Sequence, residues 1–171
     1  QAKRLPPLSV IPHGETGSWF ASPDAAAAEA LRPPHVLFFG RIRPYKGIDL
    51  LIEASRPVGV AHDDFRLVIA GAGATEGELF PEGTPPWIEL RLGHIEDHDV
   101  GALFDRVRAV VLPYRNASQS GIAANALGLG CPVVTFDVGG LAEAVRNGEN
   151  GLVVPRGSVP ALTRALDRLA T

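Results

Sequence analysis

The segment Gly40-Arg41-Ile42-Arg43-Pro44-Tyr45-Lys46-Gly47 follows an apolar run and sets three cations within six residues, between two glycines. Glycine permits close backbone approach, and guanidinium and ammonium groups suit phosphate oxygens, so the chemistry to expect is anion binding. A solvated basic turn is the plain alternative for these residues. A second segment, Ser118-Gln119-Ser120-Gly121, precedes an apolar stretch that reaches Gly128. Small residues at a helix start leave backbone N–H groups able to meet an anion. An ordinary capped helix is the alternative there.

Other constellations are weaker. Gly71-Ala72-Gly73, extended to Gly77, invites a dinucleotide reading, but that fingerprint needs a helix opening at once behind the glycines. A proline-bearing stretch through Pro81, Pro85 and Pro86 follows instead and reads as loop. His94, Glu96, Asp97, His98 and Asp99 could be drawn as a metal site, yet Asp97 and Asp99 are what the first turn of a helix prefers, and no metal is expected. Cys131, before Pro132, reads as a small buried residue. Asp137 follows a strand and could be functional, but Asp137-Val138-Gly139-Gly140 also reads as a plain turn, and no Ser–His–Asp or Cys–His arrangement stands out.

These segments need elements to place them. Leu8 to Ile11 reads as a strand, and Ser22-Pro23-Asp24 opens an alanine-rich helix. Apolar runs predict strands at Val36 to Phe39, Arg66 to Ala70, Ala109 to Leu112 and Val133 to Phe136, with an alternating one over Ile88, Leu90 and Leu92. Gly151 to Val154 adds a sixth. Between them, helical spacing follows Gly47 (Ile48, Leu51, Ile52) and Asp97 as cap (Val100, Leu103, Phe104, Val107), and helices begin near Ser120 and Leu141. Ser158 caps a last helix with Leu162, Leu166 and Leu169 on one face. Apolar strands alternating with helices predict an α/β fold, a doubly wound parallel sheet covered on both faces. Ligands of such sheets bind beyond the carboxyl ends of the strands. Both the basic and the small-residue segments fall on that edge, and together they suit a diphosphate.

Composition narrows the classes. The 171 residues carry a net charge of −3, which gives no global attraction to nucleic acid or anionic lipid. One cysteine excludes an internal disulfide and suits a reducing compartment. No apolar run approaches the roughly 18 residues of a membrane span, and no signal-peptide core is read, so a cytoplasmic protein is expected. Nineteen glycines and 15 prolines imply many turns between short elements. The sequence contains no methionine and starts Gln1-Ala2-Lys3, so an excised piece of a longer chain is expected.

Taken in order, FFGRIRPYKGIDLLIEA, LVIAGAG, LGHIEDHDVGALF, VVLPY, GLGCPVVTFDVGGLAEAV and NGENGLVVP resemble the group 1 glycosyltransferases over residues 36 to about 170. That resemblance implies a Rossmann-like half of the retaining GT-B architecture, the C-terminal half that binds a nucleotide-sugar donor. VIPHG is similar to the family's interdomain hinge, so residues 1–30 are expected to be a hinge or interdomain segment and 31–171 the donor domain. Trp19-Phe20 would have faced the missing N-terminal, acceptor-binding half, through which the parent could also meet the inner membrane face.

The resemblance further implies that Arg41 and Lys46 neutralise the diphosphate of a UDP- or GDP-sugar, with Gly40 beside it. Ile95 falls where backbone contacts the base, and Ser120, Gly121 and Ile122 fall where amides meet phosphate or sugar. The family often has two glutamates separated by seven residues; here the matching positions are Ala117 and Asn125, and Asn125 can hydrogen-bond a ribose. No cofactor, metal or protein nucleophile is expected, and the fragment should bind donor weakly and transfer little. A non-catalytic nucleotide-binding module and a Rossmann oxidoreductase stay open as alternatives.

Overall fold

A computed structural model of the chain describes residues 32–171. The expected strand at Leu8–Ile11, the alanine-rich helix, the hinge segment and Trp19-Phe20 lie outside these residues. Six strands form one sheet: β1 (His35–Phe39), β2 (Arg66–Gly71), β3 (Ile88–Leu92), β4 (Ala109–Leu112), β5 (Val133–Phe136) and β6 (Gly151–Val154). The helices are α1 (Ile48–Ala61), α2 (Glu76–Leu79), α3 (Asp97–Asp105), α4 (Gly121–Gly128), α5 (Gly139–Ala144) and α6 (Val159–Ala170), with a 3-10 turn over Pro44–Lys46.

The strand order is β3-β2-β1-β4-β5-β6, and every pairing is parallel. This is the doubly wound α/β order expected from the apolar strands. The middle strands are sheathed on both faces, and Val36, Leu37, Phe38, Leu67, Ile69 and Val110 are completely or almost completely buried. Edge strand β3 instead alternates, with Glu89 and Arg91 paired along its polar face. Right-handed crossovers lead the chain from β1 toward β2 but from β4 toward β5. The loops after β1 and β4 therefore part company, and a crevice opens between them where the order reverses.

Three details differ from the sequence reading. The proline-bearing stretch holds a one-turn helix, α2, because Thr75 and Glu78 make a reciprocal capping box. Helix α3 is capped by Glu96, and Asp97 is its first helical residue. Gly139-Gly140 is no plain turn but the start of α5, two residues before Leu141. Among the described residues, no helix is long and apolar enough to cross a membrane.

Glycines let the loops interlock at the carboxyl edge. Gly47 lies in the left-handed region (φ 65°), and a Cβ there would collide with the carbonyl oxygen of Pro113, just after β4. Replacing Gly47 by alanine adds left-handed strain to that collision and should destabilise the fold by about 2–4 kcal/mol. Urea unfolding of the two chains measures the difference; an unchanged midpoint would remove Gly47 as the joint between the two loops.

Candidate functional site

The loop after β1 rests on the turn after β2. Gly40 N–H donates to Ala70 O (2.9 Å) and Ile42 N–H to Ala72 O (2.7 Å). Gly71 and Gly73 lack the Cβ atoms that would strike the carbonyls of Gly40 and Ile42. The Gly71-Ala72-Gly73 run thus seats another loop at the positions where a pyrophosphate would need to approach, although the short helix α2 does follow it. Ile42 is buried as the loop's anchor, and Arg41 and Arg43 are exposed.

The same loop is tied to the chain leaving β4. Arg115 N–H donates to Tyr45 O (2.7 Å), and its guanidinium reaches Pro44 O (2.8 Å) and both Asp49 oxygens (2.8 and 2.5 Å). That guanidinium holds the Asp49 carboxyl below its ordinary range. The pair is exposed, so its role is alignment more than energy.

Lys46 is the unusual member. It is only 8% exposed. Its Nζ donates to the hydroxyl of Tyr114 (2.9 Å) and lies 4.7 Å from the centre of that ring. Burial pulls the ammonium pKa below its ordinary 10.5, and Arg41 lowers it further. Gly40 completes the corner: a Cβ there would lie 3.4 Å from Lys46 Nζ and 2.6 Å from Ile122 Cδ1.

On the facing side Ser120 caps α4, accepting from Ala123 N–H through its hydroxyl (3.3 Å) and from Ala124 N–H through its carbonyl (3.1 Å). Among the described residues nothing accepts from the Gly121 and Ile122 N–H groups, as expected of a helix start. Gly139 and Gly140 support this segment from behind, pressed against the carbonyls of Ala117 and Ser118.

These parts enclose an open cleft of about 710 Å³ at the order reversal, lined by Lys46, Tyr114, Ser120, Gly121, Ile122 and Asn125 among others. Ala117 lines it too, and among the described residues no acidic side chain does. Arg41 and Arg43 line an adjoining hollow that shares Tyr45 and Lys46 with the cleft. The structure thus gathers Lys46, Ser120, Gly121, Ile122 and Asn125, sets Gly40 beneath them and leaves Arg41 next door. Ile95 lies apart, on the loop after β3, half-buried against the core. Sequence reasoning missed Tyr45 and Tyr114 as site residues; the signal was a tyrosine at each loop facing the crevice. His94 and His98 are exposed, each near one carboxylate, and among the described residues no three potential ligands gather around a metal position. Cys131 is buried in the core.

The family model described as Glycosyl transferases group 1 matches residues 33–171. The chain is 31% identical over 167 residues to the glycogen synthase of Mycobacterium tuberculosis, a match that covers 95% of this chain and 39% of that protein. The C-terminal domain of a glycosyl transferase group 1 family protein (LpcC) from Francisella tularensis superposes with a TM-score of 0.73 at 22% identity, over 92% of this chain and 87% of that one. Anabaena Alr3699/HepE, in complex with UDP and glucose, gives 0.71 at 20% identity, over 94% of this chain and 46% of that one. The chain spans less than half the length of the curated relatives it matches.

A buried ammonium facing a cleft costs the fold stability unless an anion arrives. With its pKa depressed, Lys46 gives up its proton at lower pH than a surface lysine. Binding of an anion such as pyrophosphate should therefore be strong at neutral pH and fade as pH rises through that lowered value. Lys46→Met should remove most of the affinity while leaving the melting temperature equal or higher. Calorimetric titration against pH, with thermal melts of both chains, checks both statements; wild-type affinity in Lys46→Met would sink them.

Proposed function

The chain belongs to the group 1 glycosyl transferases, and from that premise we propose that it is the donor-binding half of a retaining glycosyltransferase. It would hold the nucleoside diphosphate of a UDP- or GDP-sugar. The observation that carries this reading is the convergence of a buried lysine, without a carboxylate partner among the described residues, and the start of α4 on one cleft where the strand order reverses. Backbone N–H groups of a helix start and a fixed ammonium are what a diphosphate binds. The bound UDP in the structurally similar Anabaena protein supports the same class of ligand.

In this reading Lys46 and Arg41 neutralise the charge that grows on the departing diphosphate as the sugar C1–O bond breaks. Gly40 lets the phosphate approach the loop after β1. Ser120, Gly121 and Ile122 present hydroxyl and amide donors from the opposite wall, and Asn125 meets the ribose. Ile95, one loop further along the edge, contacts the base. The incoming hydroxyl adds to C1 on the face the diphosphate leaves, and a diphosphate oxygen takes its proton, so no protein nucleophile is assigned. Residues 1–30 act as the interdomain segment and 31–171 as the donor domain. The acceptor is held by an N-terminal half of the parent protein, and the isolated domain transfers little. The single cysteine and the absence of a spanning helix among the described residues fit a cytoplasmic setting.

A thermal-shift series with UDP, GDP, ADP and NAD tests the assignment. A ligand at a hundred times its dissociation constant adds about 2.7 kcal/mol, which for a domain of this size raises the melting temperature by roughly 5–10 °C. UDP or GDP should do so, and Arg41→Ala should weaken the shift. Stabilisation by NAD alone would overturn the transferase reading in favour of an oxidoreductase.

A further inference from the structure

Tyr114 leaves β4 immediately after Pro113 and is 3% exposed. Its hydroxyl takes the hydrogen bond from Lys46 Nζ, and its ring lies beneath the same ammonium. The hydroxyl also interacts with the side chain of Ser120, the cap of α4. Tyr45 meets the ring edge-on, with centroids 6.1 Å apart and planes at 71°. One side chain therefore touches the cation from the loop after β1 and the aromatic at the cleft rim, and it lines the same cleft as Ser120, the helix cap after β4.

We propose that Tyr114 is a positioning residue that holds the Lys46 ammonium in place and in register with the start of α4, so that cation and amides face one diphosphate. This rests on the donor-binding reading above. A buried lysine has four flexible carbons and a strongly hydrated head, and without a fixed acceptor it would withdraw toward solvent. A carboxylate in that role would neutralise the charge the ligand needs. A phenol fixes the position and leaves the charge. Burial pushes the Tyr114 hydroxyl up to about 12, against a smaller opposing effect from Ser120, so it stays a neutral phenol. The groups acting on Lys46 are Tyr114 across the crevice and Arg41 on its own loop. Tyr45 lies on Tyr114, and Asp49 is taken up by Arg115.

The test is titration of UDP and of GDP into the wild-type chain, Tyr114→Phe, Lys46→Met and the double variant, across pH. Tyr114→Phe keeps the ring and its packing but removes the acceptor. It should bind the diphosphate about tenfold more weakly, the loss expected for a hydrogen bond to a charged group. The high-pH decline of affinity should move to lower pH, because the ammonium loses a stabilising partner. In the Lys46→Met background the same substitution should cost almost nothing further, and its ligand-free melting temperature should stay near that of the parent. If wild type and Lys46→Met bind alike, or neither nucleotide binds, the donor reading itself fails. If Lys46→Met loses binding while Tyr114→Phe keeps wild-type affinity and pH profile, or the two losses simply add, the positioning role is overturned and the donor reading stands.

Discussion

An ammonium buried against a phenol, with no carboxylate beside it among the described residues, is the constraint around which the carboxyl edge is organised. Lys46 has given up most of its hydration, and a hydrogen bond to a neutral hydroxyl does not offset the loss of water around a full charge. The lowered pKa is the direct sign of that deficit. A fold keeps such a group only where the surrounding chain holds it firmly and something outside the chain supplies the missing negative charge. At the crevice the ammonium is held on Tyr114, and the opposite wall is a helix start, whose N–H groups favour an anion in the same place.

The firmness comes mainly from backbone, with the Arg115 side chain as an added clamp. The loop after β1 is held from below by the turn after β2, through two main-chain hydrogen bonds and the bare α-carbons of Gly71 and Gly73. It is held from the side by the chain leaving β4, through Gly47 against Pro113 and Arg115 against Tyr45 and Pro44. The start of α4 is braced in turn by Gly139 and Gly140. Main-chain contacts of this kind have few alternative geometries, so the loops are aligned before a ligand arrives and less ordering remains to be done on binding.

Much of this was readable in the sequence because the sheet is buried on both faces. Strands such as VLFF and AVVL have no polar alternation, which marks them as interior and parallel, and parallel strands joined by helices leave few topologies. Ser120 was readable as a cap because its chemistry is local. The capping box at Thr75 and Glu78 was equally local but was hidden by the prolines that follow it. The roles of Gly71 and Gly73 could not be read: a glycine pair after a strand looks the same whether a ligand or another loop occupies the space above it. Tyr114 was invisible for a related reason. Its partner Lys46 is 68 residues away in the chain, and only the adjacency of β1 and β4 brings them together.

That adjacency also explains why the two walls of the cleft can differ so much in chemistry. Because the chain turns away in opposite directions after β1 and β4, each wall is made by its own short segment, and the two meet where Tyr114 and Arg115 reach the loop after β1, where Gly47 abuts Pro113 and where Gly40 faces Ile122. Charge is concentrated on one wall. The other, from Ala117 to Asn125, carries hydroxyls, amides and a helix start with no acidic group. An anion entering the cleft thus meets the Lys46 ammonium on one wall and the N–H groups of a helix start on the other. A carboxylate on the second wall would oppose any anion held by Lys46 in the same cleft. On the proposed donor reading, Ala117 and Asn125 in its place leave sugar hydroxyls to an amide, which donates and accepts alike and selects by geometry instead of charge.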